Sequence, residues 1–162
     1  MKLTAISTST ATAMPTTIVQ ITPEIGPGTG LMTEALAAKA RPLHVVEIDR
    51  ELAAALRARF TPDEVVVHEA DALEFDFAAV PGPLRVVGNL PYNVSTPILF
   101  RVAALADRLV DGVFMLQKEV VQRMVAAPGS EDYGRLSVML QARFAMALAL
   151  RVPPGAFTRP PK

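Results

Sequence analysis

Asn89-Leu90-Pro91-Tyr92 sets two hydrogen-bond acceptors and an aromatic ring around a turn that proline stiffens. The Asn89 side-chain oxygen and the Leu90 carbonyl can each take one hydrogen of an amino group. An amino nitrogen conjugated to a ring spreads its lone pair into that ring and attacks poorly. Holding both of its hydrogens favours a pyramidal, more nucleophilic nitrogen. Tyr92 offers a face for stacking a base, a contact worth about 1–3 kcal/mol. Such a group needs an activated electrophile aligned opposite it, so positioning matters more than a metal or a histidine base. The composition agrees: cysteine is absent and His44 and His68 are the two histidines, which excludes thiolate chemistry and a histidine-rich metal centre.

Three upstream signals concern what lies opposite. Glu24-Ile25-Gly26-Pro27-Gly28-Thr29-Gly30 falls between a strand-like and a helix-like stretch. Its spacing is G-x-G-x-G, and Leu31 stands where a dinucleotide loop carries its third glycine. With an acid just before it, the segment is similar to the loop of class I methyltransferases, where no phosphate needs cradling; a plain tight turn is the competing account. Glu47 follows Gly26 by 21 positions, at the end of the next strand, where a carboxylate can accept hydrogen bonds from both ribose hydroxyls. Standing alone it would be a surface acid beside Asp49 and Arg50. Asp71, three residues past a further strand, can accept from an adenine amino group, although aspartate also forms turns. In this order the three point to an adenosine-bearing cofactor.

These residues need a frame that brings strand ends together. Strand-like and helix-like segments alternate: strands at 17–25, 43–48, 65–68, 84–88 and 110–116, and helices at 29–40, 50–60, 95–107 and 118–127. Ser95 is the expected N-cap of the third helix, with Pro97 in its first turn. A helix and then a strand are expected after Gly134, up to Pro153-Pro154. This order predicts an α/β fold, a mostly parallel sheet with helices on both faces and ligands outside the carboxyl ends of its strands. At 162 residues, 51% hydrophobic and 20% charged, the chain is long and apolar enough for one globular domain. No apolar run approaches the roughly 20 residues that span a bilayer. Net charge is zero, but residues 1–100 carry −4 and residues 101–162 carry +4, so the second half could face phosphates. Segregated solvated faces explain the same split. Residues 1–20 lack the pattern of a secretory signal or a transit peptide and are expected to be a disordered leader or a foreign N-terminus.

Longer runs carry a family resemblance. EIGPGTG, VVEIDRELAAAL, HEADALEFDF, VVGNLPYNVSTPILF, FMLQKEVVQRMVAAPGSEDYGRLSVMLQ and VPPGAFTRPPK extend from Glu24 to Lys162. The chain resembles the KsgA/RsmA-type small-subunit ribosomal RNA adenine dimethyltransferases. The resemblance implies a Rossmann-like class I fold over residues 21–162 and S-adenosyl-L-methionine as cofactor. Its donor site would use Gly26, Gly28, Glu47, Ile48, Asp71, Ala72 and Asn89, and its reactive centre Asn89, Leu90, Pro91 and Tyr92. Phe157 would be a second aromatic against the target adenine, with Arg123, Arg135, Arg143 and Arg159 on the RNA side. It further implies a monomer acting on the small ribosomal subunit in the cytoplasm, with no metal and no membrane.

The sequence departs from that family in three ways. Met1–Gln20 has no Gln-x-Phe-Leu-type closing segment, and Pro23 sits where a central strand wants a free amide. The chain stops at Lys162, where the family continues with a last strand and a small helical domain, so the stretch after Gln141 is expected to expose an unpartnered edge. Arg159 replaces a proline of the family's F-x-P-P-P-K turn. Weak donor binding and little turnover are the expectation for the chain as given. The alternatives are an RNA- or ribosome-binding module without activity, a methyltransferase for another conjugated amine, and, least favoured, an NAD-dependent oxidoreductase.

Overall fold

The computed structural model describes residues 2–7 and 22–153. In chain order these form β1 (Lys2–Ser7), β2 (Thr22–Ile25), α1 (Leu31–Ala37), β3 (Leu43–Glu47), α2 (Arg50–Arg59) and β4 (Val65–Glu69). A 3-10 turn at Phe77–Ala79 leads to β5 (Leu84–Asn89), α3 (Ser95–Ala103), β6 (Leu109–Leu116), α4 (Lys118–Met124), α5 (Arg135–Gln141) and β7 (Ala145–Arg151). One seven-stranded sheet runs in the order β4-β3-β2-β5-β6-β1-β7. From β4 to β6 the neighbours are parallel. The expected α/β architecture is therefore what the chain adopts, with every expected strand end from β2 to β6 on one rim.

Both faces are covered because the strands are apolar on both sides. Leu43, Val45 and Val65 pack against Ala37 of α1 and Leu56 of α2. On the opposite face Val46, Val86 and Phe114 meet Ile98 and Leu99 of α3, Val121 and Met124 of α4, and Leu136 and Leu140 of α5. Helix α2 starts where it does because the Asp49 side chain accepts from the amides of Glu51 (2.8 Å) and Leu52 (3.0 Å), a cap worth about 1 kcal/mol. Glu51 in its first turn and Arg57 and Arg59 in its last suit the helix dipole. Helix α3 starts differently from the expectation. Val94 is its N-cap, and Ser95 lies inside the first turn, its hydroxyl donating back to the Tyr92 carbonyl at 3.3 Å.

Two expectations about the ends are corrected. Lys2–Ser7, assigned to a disordered leader, is strand β1, inserted antiparallel between β6 and β7 with Lys2 opposite Leu116 and Arg151. The stretch after Gln141 does not lack a partner, because β7 pairs with β1 from Ala145 to Arg151, although as the last strand of the described sheet it still presents one edge. Backbone pairing of this kind needs extended chain and a free sheet edge, and makes little demand on side-chain pattern. Pro23 does lie in a central strand, buried, opposite His44. It is tolerated near the strand's start, since pairing of β2 with β5 begins only at Glu24. Among the described residues, no helix is long and apolar enough to cross a membrane.

Candidate active site

The chain leaves β2 through Gly26–Gly30 and turns over the sheet's carboxyl rim. Gly28 (φ 57°) and Gly30 (φ 80°) hold left-handed backbone that a side chain would strain. A Cβ at Gly30 would also lie 2.7 Å from the Leu56 side chain, so the loop rests directly on α2. The Gly26 amide donates to the Val46 carbonyl at 3.1 Å and ties the loop to β3.

Glu47 closes β3 and is buried. Its Oε2 accepts the Gly28 amide at 3.0 Å and its Oε1 the Asp49 amide at 2.9 Å. Each oxygen keeps a second lone pair, so an anchored carboxylate still has acceptors for a ligand. Asp71 follows β4. Its Oδ1 accepts the Leu73 amide at 2.8 Å, and its carbonyl accepts the amides of Glu74 (3.0 Å) and Phe75 (2.8 Å). Asp71 thus forms a turn through Oδ1, and it also lines the cavity beside that turn. The Ala70 amide donates to the Glu47 carbonyl at 3.0 Å, which fixes the ends of β3 and β4 against each other.

Between these strand ends lies a cavity of about 400 Å³. Gly26, Gly28, Glu47, Ile48, Asp71 and Ala72 line it, as does Pro91 from the turn after β5. Seven of the expected site residues thus converge on one space, a size and a largely apolar lining usual for a small-molecule site. Asn93, Val94 and Ile98 complete the wall on the β5 side, and Ile25, Val46, Leu52 and Ala70 on the other. The expected set missed these seven. Val94 and Ile98 carried a signal, being four apart at the start of α3 and so on one helix face.

Asn89, Leu90 and Tyr92 border the cavity rather than line it. A Cβ at Gly88 would meet the Leu90 side chain at 2.8 Å and the Ile25 carbonyl oxygen at 3.1 Å, so glycine lets β5 close against β2. The Leu90 amide donates to the Met115 carbonyl at 3.2 Å and its side chain is buried, which anchors the turn. The Asn89 carbonyl oxygen lies 3.7 Å from where a Cβ on Gly26 would sit, so the turn abuts the glycine loop. The Val94 amide bonds the Pro91 carbonyl at 3.3 Å, and Tyr92 is 43% exposed, its ring open to solvent. Arg123 and Arg135 stand exposed on α4 and at the start of α5, away from the cavity, the Arg135 guanidinium 5.8 Å from the Phe100 ring centre. Phe157 and Arg159 lie outside the described residues.

Two titratable features escaped the sequence. Glu24 is fully buried on β2, and burial, opposed by the Thr33 hydroxyl and reinforced by Glu47, pushes its carboxyl up to about 7. On the other face of the sheet His44 Nδ1 and His68 Nε2 are 3.0 Å apart, and His68 leans on the Phe75 ring. Burial lowers both histidines, with His68 adding to the effect at His44 and Arg57 to that at His68.

Known proteins match this arrangement. The profile of the family described as ribosomal RNA adenine dimethylase matches residues 15–162. The ribosomal RNA small subunit methyltransferase A of Aromatoleum aromaticum is 63% identical over 139 residues, which cover 86% of this chain and 52% of that protein. The protein of the same name from Laribacter hongkongensis is 60% identical over 141 residues, 86% of this chain and 54% of that one. The chain therefore spans about half the length of the curated relatives it matches. Among solved structures, a dimethyladenosine transferase from Plasmodium falciparum superposes with a TM-score of 0.67 at 30% identity, over 75% of this chain and 44% of that one. The 23S rRNA methyltransferase ErmE does so with 0.58 at 31%, over 72% and 45%. With glycine loop, strand-end acids and Asn-Leu-Pro-Tyr turn gathered at one rim, and the profile matching nearly the whole chain, this chain belongs to the ribosomal RNA adenine dimethylase family.

Proposed function

We propose that the chain carries the cofactor site and reactive turn of an S-adenosylmethionine-dependent enzyme that dimethylates N6 of adenines in small-subunit ribosomal RNA. The carrying observation is the convergence of Glu47, Asp71 and Pro91 on one cavity beside the Asn89–Tyr92 turn. The residues present fit the cofactor: Gly28 leaves open space where a side chain would project, and Glu47 is fixed by two amides with lone pairs to spare. Glu47 would hold the ribose hydroxyls, Asp71 the adenine amino group, and Ile48, Val46 and Ile98 the flat faces of the base. When bound, S-adenosylmethionine supplies a methyl group on a sulfonium, an electrophile that needs no further activation.

The chain's own part is then orientation. Asn89 and the Leu90 carbonyl hold the hydrogens of the target amine, and Pro91 fixes the turn that aims them. Tyr92, open to solvent, stacks the incoming base. Phe157 would be the second aromatic against it, and Arg123 and Arg135 would face the RNA backbone. The partner is the small ribosomal subunit, met by a monomer in the cytoplasm, with neither metal nor membrane required. The test pairs calorimetry with S-adenosylmethionine and transfer of labelled methyl to unmethylated small subunits, on wild type and Asn89→Ala. Weak donor binding in both, and a low level of label at adenine N6 in wild type alone, is the expected result. No donor binding, or label at another atom, overturns the proposal.

A further inference from the structure

Behind the cavity wall lies an ionisable group that orientation of donor and amine does not use. Glu24 has 0% exposure, and neither of its carboxylate oxygens has a hydrogen-bond partner among the described residues. It precedes Ile25 and Gly26, both of which line the cavity. Its strand neighbours are Val45 on β3 and Val87 on β5. From α1 it is faced by the buried Thr33 hydroxyl, which favours the ionised carboxyl, and from β3 by a second carboxylate, Glu47, which disfavours it. Of the cations of α2, Arg59 is paired with Glu34 and Arg57 with Glu69, and Arg50 is exposed at the start of the helix. His44 and His68 lie on the other face, toward Phe75. Among the described residues no cation is paired with this carboxylate, and a cation in the neighbouring cavity would favour its ionised form.

We propose that Glu24 is the charge complement of the cavity, protonated while the cavity is empty or holds a neutral sulfur and ionised when a cationic donor occupies it. The inference rests on the proposed S-adenosylmethionine site and deepens it. Donor and product differ by one methyl group and one positive charge: the sulfonium becomes a thioether. Loss of that charge lets Glu24 recover a proton from solvent, so proton exchange accompanies the replacement of donor by product. Glu24 is thus a positioning residue that discriminates donor from product, and its effect depends on pH. Donor affinity climbs as pH rises through the range in which Glu24 titrates, while product affinity stays level.

Calorimetry on the whole chain tests this, in buffers of differing ionisation enthalpy, with S-adenosylmethionine and S-adenosylhomocysteine as probes. Burial holds the free carboxyl near 7. Donor binding at pH 7 should therefore release about half a proton, and product binding markedly less. The donor-to-product affinity ratio should rise about tenfold between pH 6 and pH 8. Glu24→Gln should abolish both the release and the pH dependence of the ratio, and Glu24→Asp should restore part of each. Donor binding with no proton release, or release unchanged in Glu24→Gln, overturns the inference and leaves the cofactor site standing. Absence of donor binding overturns the cofactor site and this inference together. Should Glu24→Gln fail to fold, the wild-type proton counts for donor against product decide the matter.

Discussion

Glu47 Oε2 accepts the amide of Gly28 at 3.0 Å, so the acid at the end of β3 holds the glycine loop in place. With Oε1 on the Asp49 amide at 2.9 Å, a single buried side chain fixes the loop after β2 and the entry to α2. Glu47→Gln must turn an amide NH₂ toward one of those two donors. The expected loss is about 1–3 kcal/mol of stability. S-adenosylmethionine affinity should also fall by about tenfold or more, since the loop and the proposed ribose acceptors shift together. Urea denaturation and calorimetry measure the two effects; an unchanged midpoint would mean that the anchor is dispensable.

Gly88 is where β5 passes closest to β2. An added methyl would stand 2.8 Å from the Leu90 side chain and 3.1 Å from the Ile25 carbonyl oxygen, and backbone has little freedom to yield. Gly88→Ala should cost about 1–3 kcal/mol, the usual penalty for overpacking. Because Leu90 belongs to the turn proposed as reactive, labelled methyl transfer should fall further than stability does. Chemical denaturation beside single-turnover rates would show whether the two losses separate as stated.

The His44–His68 pair makes stability depend on pH. Both groups are held below the ordinary histidine value of 6.5, by burial first. The folded chain therefore binds fewer protons than the unfolded chain once pH falls through 6.5, and stability drops as the medium acidifies until the folded pair protonates too. Above 6.5 neither state is charged and nothing is lost. Glu24 acts in the opposite sense: its carboxyl, raised from 4.5 to about 7, favours the folded state as pH falls across that interval. The histidine part is hence read as a difference. Wild type should lose more stability between pH 7.5 and 5.5 than the double variant His44→Asn, His68→Asn, as urea midpoints would register. Equal losses would assign the pH dependence to other groups.

Strand β1 joins β7 to the rest of the sheet, with Lys2 opposite both Leu116 and Arg151. Removing residues 1–7 should leave β6 without a neighbour on one side and β7 without its described neighbour, exposing backbone donors and acceptors. Faster amide exchange confined to 109–116 and 145–151, together with self-association in light scattering, is the expected outcome. Exchange at β3 and β4, on the far side of the sheet, should stay as it was.

The sequence by itself determined the α/β class, the strand ends and the spacing of Gly26, Glu47, Asp71 and Asn89. These are local properties: apolar runs of strand length, helical periodicity, and glycines where the backbone must turn. Alternation with short connections then leaves little choice but to gather those strand ends on one rim. Tertiary structure alone decided which lone pairs of Glu47 are already spent, because that depends on amides at Gly28 and Asp49 brought to it by two different loops. It also turned Asn93, Val94 and Ile98 toward the cavity and left the Glu24 carboxylate without a hydrogen-bond partner among the described residues, since burial and hydrogen bonding depend on every neighbour being in place. The position of β1 was the least legible of all. A Ser/Thr/Ala-rich segment bears no strand signature strong enough to name partners at Leu116 and Arg151, and the backbone hydrogen bonds that place it there are available to almost any extended chain.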